Sequence, residues 1–275
     1  MNQTFQIILN RQVNWADSNN IAYHINKENE PYCLSLASNI YFPTLSTSTV
    51  GEYSAGKGNE FKENMKSLCS SSALVVNVFE YWRQNNRVPD IAAACGKYSS
   101  TVEMSFEKTH HVFNRGTPPH LDIEFGGGRI KPLAIEAKFA EPYRKRVTRR
   151  NKTNLRQYLS ADIWQGLGSV KGLAQEVLNE EGDKTSWGYL GVPQLIKHIL
   201  GLQKSHPNGF TLLYLWFDCN NIESLKHKDE VSRFYDRVCS EVDFQSLTYQ
   251  ELFTKFLTIP GVDQLYLKYL KERYL

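Results

Sequence analysis

The stretch His120-Leu-Asp-Ile-Glu-Phe125, followed by Gly126-Gly127-Gly128 and Lys131-Pro-Leu-Ala-Ile-Glu-Ala-Lys-Phe139, decides how the rest of the chain is read. Leu121, Ile123 and Phe125 alternate with polar residues, the period of a half-buried strand. The glycines predict a tight reversal, because glycine takes positive φ angles without steric cost. In the return strand Leu133, Ile135, Ala137 and Phe139 share one apolar face, and Glu136 and Lys138, two apart, share the other. The hairpin therefore brings Asp122 and Glu124 near Glu136 and Lys138. Asp122 and Glu136 can then share a divalent cation, since hard cations favour carboxylate oxygens, and Ala137 is counted with them as a metal-holding position. Such a site can hydrolyse a phosphodiester. The metal polarises the phosphoryl oxygen and activates water, while Lys138 orients that water and offsets developing charge. Magnesium is the expected ion, with manganese as a substitute. The competing reading is a surface hairpin that happens to display acids and a lysine, since a second Glu-x-Lys stands at Glu60-Phe61-Lys62.

Outward from the hairpin, Phe61, Met65, Leu68, Val75, Val76 and Phe79 recur at helical spacing and predict a helix from Glu60 to about Trp82. Ser100 to Phe106 predicts another strand. Beyond the hairpin, residues 155 to 180 read as helical with interruptions at Gly166, Gly168 and Gly172, and Pro193 opens a helix over Gln194 to Gln203. Phe210-Thr-Leu-Leu-Tyr-Leu-Trp-Phe217 is a continuous apolar run, the pattern of a strand buried on both faces. Helices are expected near 228–241, 248–258 and 262–272. Residues 11 to 59, rich in Asn, Ser, Thr and Gly, predict loops with short strands. The expected architecture is α/β: a mixed central sheet flanked by helices, with an irregular N-terminal extension at 1–59, a catalytic domain at 60–275 and C-terminal helices.

At 275 residues there is ample volume for a core, and 41% hydrophobic with 22% charged residues excludes collagen-like and disordered classes. Net charge is only +3, yet Arg144, Lys145, Arg146, Arg149, Arg150, Lys152 and Arg156 lie together with no acid between them, so the remainder carries −4. That asymmetry suits a polyanion such as DNA, whose phosphates these residues would neutralise; a solvated loop is the other reading. Five cysteines without C-x-x-C spacing argue against a disulfide scaffold or zinc ribbon. The first ten residues lack a basic n-region and no run is long enough to span a membrane, so a soluble, reduced, cytoplasmic protein is expected.

Leu121-Asp122-Ile-Glu-Phe with Leu133-Ala-Ile-Glu136-Ala-Lys138-Phe resembles the D…(E)xK signature of the PD-(D/E)XK nuclease superfamily. Three segments resemble stand-alone bacterial restriction-endonuclease-like proteins in particular: Glu63-Asn-Met-Lys-Ser through Ser70-Ser-Ser-Ala-Leu-Val-Val-Asn77-Val-Phe, the hairpin, and Gln194-Leu-Ile-Lys-His198-Ile-Leu before Leu212-Leu-Tyr-Leu. Pro119-His120 precedes Leu121-Asp122 where the family has a Pro-Asp pair. The resemblance implies an αβββαβ core, with Asp122, Glu136 and Lys138 catalytic. It also implies a carboxylate from the first helix, Glu63 or its rival Glu60, and a site-lining glutamine, Gln194. A restriction or phage-defence endonuclease follows, and cutting both strands of a duplex would suit a homodimer.

Other residues carry plainer readings. Gln194 could instead cap its helix, His110, His111 and His120 match no zinc spacing and read as structural, and Tyr143 either stacks on a base or packs against the hairpin. Gly51-Glu-Tyr-Ser-Ala-Gly56-Lys57-Gly58 fits G-x-x-x-x-G-K, with the strand at Leu212–Asp218 as its acidic partner, so a P-loop nucleotide hydrolase is a rival; Gly58 stands where the magnesium-binding hydroxyl belongs. A catalytically silent DNA-binding protein on the same fold is the third reading.

Overall fold

The computed structural model describes residues 2–55, 63–97, 102–113, 118–127, 131–144, 155–180 and 186–275. Helix α1 (Gln3–Ser18) is capped by Asn2, whose side-chain oxygen accepts the N–H groups of Thr4 and Phe5. A small antiparallel pair, β1 (Tyr23–Ile25) and β2 (Pro31–Cys33), precedes α2 (Thr47–Ala55). Helices α3 (Ser71–Gln84) and α4 (Val88–Ala94) lead into strands β3 (Glu103–Thr109), β4 (His120–Gly126) and β5 (Leu133–Lys138). Helices α5 (Gly168–Asn179) and α6 (Val192–Ser205) cross to β6 (Thr211–Trp216), and α7 (Ile222–Val238) crosses to β7 (Asp243–Thr248). Helices α8 (Tyr249–Phe256) and α9 (Gln264–Tyr274) follow.

The five strands form one sheet in the order β3-β4-β5-β6-β7. The first three are an antiparallel meander, whereas β6 runs parallel to β5 and β7 parallel to β6. The mixed sheet and the order α3-β3-β4-β5-α6-β6 match the expected restriction-endonuclease-like core. Each face carries a helical layer. Ile123, Phe125, Ile135, Leu213 and Leu215 pack against Phe79, Trp82, Leu252, Phe256 and Tyr266 from α3, α8 and α9. On the other face Ala134, Leu212, Tyr214 and Phe244 meet Val170, Leu173, Leu195, Ile199 and Phe234 from α5, α6 and α7. Strand β6 sends successive residues to opposite layers, and all six are buried, as its continuous apolar run requires.

Several elements differ from expectation. Helix α3 begins at Ser71, not Glu60: the Ser70 hydroxyl accepts the Ala73 N–H, a capping bond that fixes the start of a helix. Asn64–Lys66 ahead of it is a separate 3-10 turn. The N-terminal segment is less irregular than expected, for α1 spans 16 residues and buries Phe5, Ile8, Leu9, Gln12, Trp15 and Ala16 along one side. Phe5, Ile8 and Tyr53 join the same apolar cluster as α3 and the sheet, so α1 and α2 pack into that layer. Residues 155–159 are helical and the break falls around Gly166, as expected, but α5 starts at Gly168 and runs unbroken through Gly172, which does not interrupt it. The last strand, β7, is unexpected: only Phe244 in it is buried, which leaves no alternation to read. None of the five cysteines is in a disulfide, and no helix among the described residues is long and apolar enough to cross a membrane.

Candidate active site

Strands β4 and β5 pair from Phe125 with Leu133 to Ile123 with Ile135, and the ladder stops there, one residue short of Asp122 and Glu136. On the other side, the β3–β4 register runs through Phe106 with Ile123 and resumes at Lys108 with Leu121, skipping Glu107, whose φ of 52° lies in the left-handed region. The kink has a packing consequence that corrects the simple alternation. Leu121 enters the layer of α5 and α6, whereas Ile123 and Phe125 enter the layer of α3. Asp122, between them, is released from regular pairing, and its Oδ2 accepts the Ala137 N–H at 2.7 Å. A side chain thus takes the place of the missing ladder bond and seats its carboxylate on the backbone between Glu136 and Lys138.

Glu136 is fully buried on β5, and Lys138, on the same face as expected, forms an ion pair with its Oε1. The second oxygen, Oε2, lies 2.9 Å from Nε2 of His198 on α6, which is equally buried. Neither Glu136 Oε2 nor either ring nitrogen of His198 has a hydrogen-bond partner among the described residues, so the contact is one of charge and packing. Burial opposes ionisation of Glu136, but Lys138 and His198 outweigh it and hold its carboxyl down at about 2. Asp122 shifts the other way. Part of the residue reaches solvent, yet the crowding of its carboxyl and the charge of Glu136 push its pKa well above the ordinary range. Desolvation would lower Lys138, but Glu136 and Asp122 hold its pKa above the usual lysine value. The two carboxyls are thus shifted in opposite directions, Glu136 towards and Asp122 away from ionisation, and a divalent cation between them would favour the ionised form of both.

These donors fit a hard cation. Two carboxylates converge, Glu136 Oε2 lacks a hydrogen bond, and the Ala137 carbonyl uses one lone pair to accept from the Ser71 hydroxyl at 3.1 Å, leaving the second.

The remaining site candidates fall in different places. Gln194 stands in the first turn of α6, four residues before His198 and so on the same helix face. Glu63 precedes the 3-10 turn rather than lying on a helix, and its exposed carboxylate pairs with Lys66 at 3.6 Å. Glu60 lies outside the described residues, as do Lys145, Arg146, Arg149, Arg150 and Lys152. Arg144 pairs with Glu30 at 3.1 Å and lies over the Phe5 ring, which makes it a brace to the N-terminal segment. Tyr143 is buried, its hydroxyl 3.2 Å from the Phe217 carbonyl and 3.1 Å from His227 Nδ1, so packing is its role. The P-loop reading fails in structure as well, because Gly51 sits within helix α2 where that motif needs a loop after a strand. Sequence reasoning assigned no role to His198 or Ser71. The one signal for His198 was its four-residue spacing from Gln194.

Over residues 9–275 the chain matches a family described as restriction endonuclease associating with ARP. No match was found among curated proteins or among solved structures.

Proposed function

The chain belongs to this restriction endonuclease family, and on that footing we propose that it is a divalent-metal-dependent DNA endonuclease of the PD-(D/E)XK kind, acting in restriction or phage defence. The observation that carries the reading is the seating of the Asp122 carboxylate on the Ala137 N–H, beside Glu136 and Lys138. Asp122, Glu136 and the Ala137 carbonyl would hold magnesium, or manganese in its place, which polarises a phosphoryl oxygen and lowers the pKa of bound water. Lys138, its pKa raised by Glu136 and Asp122, keeps its proton at neutral pH. It therefore acts as a charged donor that orients water and offsets charge on the phosphate, not as a general base. His198 braces Glu136 from behind, and Gln194 lines the same side. Glu63, committed to Lys66, is the weakest member of the expected set. The basic segment, apart from Arg144, would track the DNA backbone, and a homodimer would supply the second site for a double-strand cut.

Nicking of supercoiled plasmid tests this. Wild-type protein should nick in magnesium and stop in excess EDTA, and Lys138→Met should lose on the order of a hundredfold or more in rate while keeping its melting temperature. Undiminished cleavage in EDTA, or by a folded Lys138→Met protein, defeats the mechanism.

A further inference from the structure

Two residues beyond Asp122 on β4, and on the α6 side of the sheet, Glu124 meets two histidines from elsewhere in the chain. His110, just past the end of β3, places Nε2 at 2.6 Å from Glu124 Oε2. His206, the C-cap of α6, places its Nε2 at 3.7 Å from the same oxygen. The two imidazole rings are 5.1 Å apart, and one ligand atom from each of the three residues lies within 4.8 Å of the others. His110 and Glu124 are buried, and His206 is 27% exposed. The His206 Nε2 is shielded from solvent and has no hydrogen-bond partner among the described residues.

We propose that His110, Glu124 and His206 form a second metal site, one for zinc or a similar borderline transition ion. Zinc holds imidazole nitrogen and carboxylate oxygen at about 2.0–2.2 Å, so tetrahedral ligand atoms lie about 3.3 Å apart. The observed separations of 2.6 and 3.7 Å bracket that value, and a small movement of each ring closes the site. The His110–Glu124 hydrogen bond is the metal-free form of the same arrangement. On binding, the proton leaves Nε2, and the imidazole takes the cation as a neutral ligand with its proton on Nδ1. Two histidines with one carboxylate suit zinc, whereas magnesium takes oxygen ligands, so this cluster and the Asp122–Glu136 pair would select different ions. Water on the exposed side of His206 would complete four ligands.

The site is prepared by the backbone. Gly201 lies on α6 little more than one turn before His206, and a Cβ there would come within 2.6 Å of the His110 carbonyl oxygen and 3.0 Å of the His110 Cβ. Only a residue without a side chain lets the His110 segment close on the helix. A bound ion would pin that segment, β4 and α6 together. Since β4 carries Asp122 and α6 carries His198, the clamp would hold two elements of the candidate active site in register. The inference stands on its own geometry and does not depend on the nuclease reading.

Full-length protein stripped with EDTA and dialysed should bind one equivalent of cobalt(II) with the visible bands of four-coordinate cobalt, and zinc should displace it. Zinc should also raise the melting temperature. Asp122→Asn should bind cobalt as wild type does, whereas His206→Ala and Glu124→Gln should bind at least tenfold more weakly and gain no stability from zinc. His206→Cys should restore binding and add a thiolate charge-transfer band near the ultraviolet, which also covers the case in which His206→Ala fails to fold. The proposal is overturned if wild type binds no cobalt or zinc, if binding survives His206→Ala but is lost in Asp122→Asn, or if His206→Cys gives no thiolate band.

Discussion

Asp122 bears the cost of the site. Its carboxyl accepts the Ala137 N–H but is crowded by protein and by the charge of Glu136, so its pKa stands well above the ordinary 3.8. A carboxyl whose folded pKa is raised contributes stability that is present below its unfolded pKa and is lost as pH rises through the folded one. The metal-free protein is therefore less stable at neutral pH than it would be with a group here that does not ionise. Asp122→Asn keeps an oxygen for the Ala137 N–H and cannot ionise, so it should melt higher than wild type at pH 7 without metal and show a smaller rise with magnesium. A lower melting temperature would contradict this account of the pair. Glu136 has the opposite sign: its stabilising contribution is present above 4.5 and lost only as pH falls through about 2. That Asp122, Glu136 and Lys138 meet was legible in the sequence because two strands joined by a glycine turn bring them to one end of a hairpin, although the alternation read through Leu121 breaks at Asp122. His198 was not, because one histidine on an apolar helix face reads as core until the helix is docked on the sheet. Glu63 was misplaced on a helix for a related reason: spacing continued through Met65 and Leu68, and the Ser70 cap outweighed it.

Among the elements, α6 does most around the candidate site, since it carries His198 beside Glu136 of β5, His206 beside Glu124 of β4, and Gly201 against His110 and Pro119. Its approach depends on Gly201. Alanine is worth about 1 kcal/mol more than glycine in a helix interior, yet the added Cβ would stand 2.6 Å from the His110 carbonyl and 3.2 Å from Pro119 Cγ. Overpacking of that kind costs about 1–3 kcal/mol, and backbone has little room to yield, so Gly201→Ala should lower the urea midpoint. An unchanged or higher midpoint would mean that the His110 segment is free to move away. At this scale the hairpin, β6 and α6 were readable from period and length. The break at Glu107 and Asp122 was not, because nothing in Glu103–Thr109 signals a left-handed residue. Strand β7 was hidden by its edge position, where only Phe244 is buried and Leu247, three residues on, breaks the two-residue period.

Across the whole molecule, the N-terminal segment is held by long-range polar ties as well as by apolar packing. Buried Arg273 on α9 donates to the carbonyl of Asn39 at 2.8 Å and to Gln12 Oε1 at 3.0 Å, and its guanidinium covers the Trp15 ring at 4.1 Å. Arg144 reaches Glu30 from the exit of β5. No composition argument separates such a brace from the bases that follow it, which is why the segment read as a uniform DNA-binding run. The distinction is measurable. Changing Arg149 and Arg150 to Gln should lower the slope of log K against log salt by about 1.8 for duplex DNA, at about 0.9 per phosphate contact, with sequence preference retained. A slope equal to wild type would remove them from the interface. The central claim, that the carboxylates at the splayed end of β4 and β5 cut DNA, is tested most directly by Glu136→Gln in the plasmid assay, run beside a melting curve. The account predicts a folded protein whose magnesium-dependent nicking falls by on the order of a thousandfold. A folded Glu136→Gln protein that nicks at the wild-type rate would contradict it.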